Sequence, residues 1–106
     1  MTIYRQGDVL LIRCARIPEG EPVPREHGRI VLAHGEATGH AHALVDDEAA
    51  FTETRPAKGA PRRYLRLVKP ARLFHDEHSP IELPPGRYEV RRQREYTPDD
   101  IRTVAD

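Results

Sequence analysis

An all-β fold is predicted by three observations. Ten prolines and seven glycines punctuate a chain of 106 residues. The apolar runs between them are short, with strand-like length or alternation. No stretch carries the three- and four-residue spacing of a long amphipathic helix. We expect one domain, residues 1–106, folded as a compact small β-barrel or sandwich with at most a short C-terminal helical turn.

Each element follows from local pattern. Gln6-Gly7-Asp8 signals a turn, and Val9-Leu10-Leu11-Ile12 then reads as a strand buried on both faces. Pro18, Gly20, Pro22 and Pro24 make residues 18–28 a loop. Arg29 to His34 is a second strand. Gly35 and Gly39 bracket a tight connection, after which His40 to Val45 resumes as a strand. Asp46-Asp47-Glu48 turns the chain, and Ala49 to Thr54 returns from it as a weaker strand. A second loop, 55–61, holds Pro56, Gly59 and Pro61. Arg63 to Val68 is extended, with Leu65 and Leu67 on one face. Ala71 to Phe74 leads into His75-Asp76-Glu77-His78, and Ser79 to Gly86 is a short extended piece and a turn. Arg87 to Tyr96 is the longest extended run, with Tyr88 and Val90 sharing a face. Thr97-Pro98-Asp99-Asp100 has the marks of a helix start: a capping Thr, Pro at the first position and acids in the first turn.

Composition narrows the function classes. Hydrophobic residues are 38% and mean hydropathy is −0.69, so the core must be small. Lys+Arg and Asp+Glu are both 17, which gives no global attraction to nucleic acid or an anionic membrane. Aromatics are 6% with no Trp, so platforms for stacking bases are scarce. The single Cys14 forbids an internal disulfide and reads as a small buried hydrophobe. The first eight residues lack a signal-peptide apolar stretch, and no apolar run reaches the roughly 20 residues that span a bilayer. We therefore expect a soluble cytoplasmic protein with no membrane partner.

The chemistry gathers on histidine. Of six histidines, His34, His40 and His42 lie in or beside the stretch from Gly35 to His42. Residues two apart on a strand share a face, so His40 and His42 aim at one point. His75 and His78, three apart, converge on a turn. Two convergent pairs predict a divalent transition metal held by His40, His42, His75 and His78. Imidazole suits zinc and iron(II) alike, and these are the favoured ions. Four protein ligands fit a closed structural site, and three plus water fit a catalytic one. Glu77 and Glu36 are the candidate catalytic carboxylates, Glu77 as a base on metal-bound water and Glu36 orienting an imidazole or ligating. Asp76 shares the setting of Glu77. His34, Glu48 and Glu89 are reserve ligands, and His27 is expected to face solvent.

Gly35-x-x-x-x-His40-x-His42, with Glu48 beyond it, resembles the first motif of the cupins, and Pro84-x-Gly86 resembles the turn of their second motif. Glu89 and Gln93 fall where cupins carry a His and an Asn. The resemblance implies a small β-barrel with iron, manganese, nickel or zinc inside. His75-x-x-His78 has no counterpart there.

Two function classes follow. One is a small metal-dependent enzyme acting on a small-molecule substrate through bound water or oxygen. The other is a non-catalytic module or assembly component, in which a structural metal ties loops together and the Arg91–Arg94 strand docks on a protein partner. RNA is a weaker reading of the same arginine run, and self-association as a homo-oligomer stays open.

Overall fold

The computed structural model describes residues 2–35 and 40–93. Glu36, Gly39, Arg94, Tyr96 and the expected helical turn after Thr97 lie outside the described residues. Strands dominate, and no α-helix forms among the described residues. No helix there is long and apolar enough to cross a membrane.

The chain begins with a hairpin. β1 (Ile3–Gln6) pairs antiparallel with β2 (Val9–Arg13), Gln6 opposite Val9. The two-residue loop Gly7-Asp8 needs a left-handed residue, and Gly7 supplies it at φ +60°. The predicted turn is there, but β1 itself is invisible to hydrophobic pattern, because Arg5 and Gln6 cut its apolar run short after Ile3 and Tyr4. Val9 to Ile12 are all buried, as expected for a strand covered on both faces.

β2 continues into a six-stranded sheet of order β1-β2-β10-β7-β6-β3. Its other strands are β3 (Glu21–Pro22), β6 (Ala50–Thr54), β7 (Arg62–Leu67) and β10 (Gly86–Arg92). β3 is a two-residue insertion of strand into the expected 18–28 loop, at the sheet edge where Pro22 needs no ladder donor. Strand alternation puts Tyr4, Leu11, Val90 and Leu65 on the same face as Phe51 and Tyr88.

Two ribbons cover that face. β4 (Ile30–His34) pairs with β5 (Ala41–Leu44), and β8 (Ala71–Leu73) with β9 (Ile81–Leu83). They join through a bridge in which Ala43 N donates to Phe74 O at 3.0 Å and Phe74 N to Ala43 O at 2.8 Å. Phe51, Leu65 and Tyr88 of the sheet share one core with Ile30, Leu32, Leu44, Leu73 and Leu83 of the ribbons. This is the sandwich arm of the expectation; no closed barrel forms among the described residues.

Three further expectations are corrected. Ala49–Thr54 does not return beside residues 40–45; it crosses to the large sheet and pairs with β7 and β3. Val68 lies past the end of β7 and is exposed. Cys14 is only half-buried, although burial and then the Glu89 carboxylate push its thiol pKa up.

Candidate functional site

The sandwich brings the two histidine pairs together. His42 lies within β5, and its ring is buried at 2% exposure. His75 and His78 sit on the bend that follows β8. Their rings form a triangle: centroids are 4.3 Å apart for His42–His75, 4.7 Å for His75–His78 and 5.9 Å for His42–His78. His40 stands just before β5 and meets the triangle only at His75, 5.8 Å away edge-on. The bridge between Ala43 and Phe74 explains the convergence, since each lies one residue from a histidine of the site.

Glycine makes the space. A Cβ on Gly7 would sit 2.7 Å from Nε2 of His78, and one on Gly35 would sit 3.1 Å from the His40 Cβ and 3.2 Å from Nε2 of His75. The β1–β2 turn therefore approaches His78 more closely than a side chain permits without a shift, and the end of β4 approaches His40 and His75 tightly.

Gln6 sets the proton arrangement of His42. Its side chain is buried, and its Nε2 donates to Leu73 O at 2.9 Å and to Ser79 O at 3.1 Å. Its Oε1 is then the acceptor in the 2.9 Å bond to Nδ1 of His42. The His42 hydrogen lies on Nδ1, and Nε2 keeps its lone pair. His42 is pushed down to about 4, first by burial and next by the neighbouring His75, so it is neutral at pH 7. A neutral imidazole with one nitrogen committed is the ligand form metals take.

His40 is arranged the same way. Its Nδ1–H donates to Glu77 Oε1 at 2.9 Å, with Asp76 Oδ2 at 3.8 Å from its Nε2. His75 differs: its Nδ1 accepts the backbone N–H of Glu77 at 3.0 Å, which in the neutral ring leaves the hydrogen on Nε2. As the side chains stand, no group of three or more His, Cys, Asp or Glu among the described residues is arranged to hold a metal ion.

The reserve candidates are elsewhere. His34 is exposed and pairs with Glu26 at 3.1 Å; Glu48 pairs with Lys69 at 3.2 Å. Glu89 lies on the face of β10 opposite Tyr88 and Val90, in line with Ile12 and Tyr64. His27 is exposed, as expected.

Residues 5–93 match the family model described as Domain of unknown function (DUF8820). The chain belongs to the DUF8820 family. No curated protein and no solved structure matches it. The stretch matched to DUF8820 contains Gln6 and the four histidines of the candidate site. In this DUF8820 chain, sequence reasoning singled out the histidines and missed Gln6. Only the pairing of Gln6 against Val9, which turns it inward with Tyr4, would have found it.

Proposed function

We propose that this DUF8820 chain is a small metal-binding β-sandwich holding one divalent transition metal, zinc or iron(II), on His42, His75 and His78 with His40 beside them. The carrying observation is that three imidazoles from two distant segments face one another across less than 6 Å. Two imidazoles on one tetrahedral ion at about 2.0–2.1 Å have ring centres roughly 5 Å apart, close to the spacings of the triangle, and the rings must turn for their nitrogens to converge. One movement is specified by the hydrogen bonds. For His75 to ligate through Nε2, its proton must shift to Nδ1, and the bond from Glu77 N–H must break.

Three imidazoles leave a coordination position for water, which suits hydrolytic or isomerising chemistry, or oxygen chemistry on iron. Glu77 then holds His40, and proton transfer by its second oxygen is the catalytic arm of the reading. Entry of His40 as fourth ligand would instead close the site and make it a structural staple of a cytoplasmic interaction module. Cobalt(II) titration of chelator-stripped protein tests both. An intense visible absorption saturating at one ion per chain supports the site, and a further change on adding azide supports the open position. A spectrum no different from aqueous cobalt overturns the proposal.

A further inference from the structure

The arginine run flagged in the sequence is not absorbed by the histidine site, and the fold gives it company. β7 starts with Arg62-Arg63 and β10 ends with Arg91-Arg92. The strands are antiparallel neighbours, so two arginine pairs almost 30 residues apart meet at one end of the sandwich. A cavity of about 800 Å³ opens there, and all four arginines line it. Its accessible apolar lining is Val23, Ala60 and Pro61, with the buried Val9, Leu32 and Val90 behind. Glu26 and Glu53 are the acidic residues on its lining, and Glu89 stands 3.6 Å from Arg91.

Two of these guanidiniums are held in place. The ladder between β4 and β5 slips between Val31 and Ala33, which makes Leu32 a bulge residue. Leu32 O accepts from Nη1 of Arg63 at 3.1 Å, while Arg63 Nε binds Glu53 at 3.2 Å. Arg55 also pairs with Glu53, at 2.9 Å. Arg92 donates to both oxygens of Asp8, and its Nη1 to His34 O at 3.2 Å. Guanidiniums fixed in this way lose little freedom on meeting an oxyanion.

We propose that this cavity binds a small organic anion: a carboxylate or phosphate head at the arginine rim, with a short apolar body against Val23, Ala60 and Pro61. The volume falls in the range of small-molecule pockets. A lining without Phe, Tyr or Trp favours a small molecule over a nucleic-acid strand, which needs stacking surfaces. The proposal does not depend on a metal at the histidines.

The test is displacement of the fluorescent anion 1-anilinonaphthalene-8-sulfonate from the folded protein, with and without chelator. One saturable site per chain is expected, displaced by octanoate or octyl phosphate and not by octanol. Whichever anion displaces better identifies the head group. Arg62→Glu, an exposed rim change, should weaken binding at least fivefold. Ala60→Trp, on the exposed loop at the mouth, should do the same at an unchanged melting temperature. No saturable binding, equal displacement by octanol, full binding by Ala60→Trp, or displacement only by a single-stranded oligonucleotide would each overturn the proposal.

Discussion

Gln6 and His42 show how much a single buried bond can decide. Gln6 uses both amide hydrogens on the carbonyls of Leu73 and Ser79, so its oxygen has one role left. Gln6→Leu would take the amide donors from those carbonyls and the acceptor from the His42 Nδ1–H. The cost should be about 1–3 kcal/mol, read as a lower urea midpoint. Metal affinity should fall by roughly 10–100-fold, read by titration, as for other lost partners of metal-ligating histidines. His42 also imposes a pH dependence on the metal-free protein. Its folded pKa of about 4 lies below the ordinary 6.5, so the unfolded chain binds the extra proton. Its stabilisation is fully present above pH 6.5 and is lost as pH falls from there through 4. The loss is on the order of 3 kcal/mol at about 1.4 kcal/mol per unit. Urea unfolding at pH 7.5, 5.5 and 4 checks this, and His42→Gln should flatten the slope.

At the scale of elements, the β1–β2 turn and the bend after β8 act as one unit. Gly7→Ala places a Cβ against Nε2 of His78 and forces a non-glycine residue to φ +60°. Melting should drop by the equivalent of about 1–2 kcal/mol from backbone strain alone, and metal binding should weaken because His78 is displaced. The elements legible in the sequence are those with an apolar signature: β2, β4, β5, β7 and β10 each bury aliphatic or aromatic residues in strand pattern. β1 and β3 were not legible, because ladder hydrogen bonds to a neighbour, rather than side-chain pattern, make them strands. The His75-x-x-His78 bend was legible, since residues three apart can only converge where the chain curls. Partner choice was not. Asp46 to Ala49 can turn a strand back on its predecessor or carry it to the other layer, and Phe51 decides for the large sheet by packing into the shared core.

For the whole molecule, one core between a six-stranded sheet and two ribbons carries the stability. Leu65 is fully buried at its centre, and Leu65→Ala should cost about 2–5 kcal/mol in denaturant unfolding. The same two-layer arrangement positions the candidate site, because β5 and the chain after β8 belong to different ribbons joined by the Ala43–Phe74 bridge. A metal on His42, His75 and His78 would bind across that junction, so its binding energy would add to folding energy. The most direct measurement is elemental analysis of protein expressed in medium supplemented with zinc, iron, nickel and manganese, purified without an affinity tag that binds metal. Close to one transition-metal ion per chain is expected. Folded His42→Ala and His75→Ala variants should lose that ion. A wild-type chain without metal, or variants that keep the full ion content, would refute a metal site at these histidines.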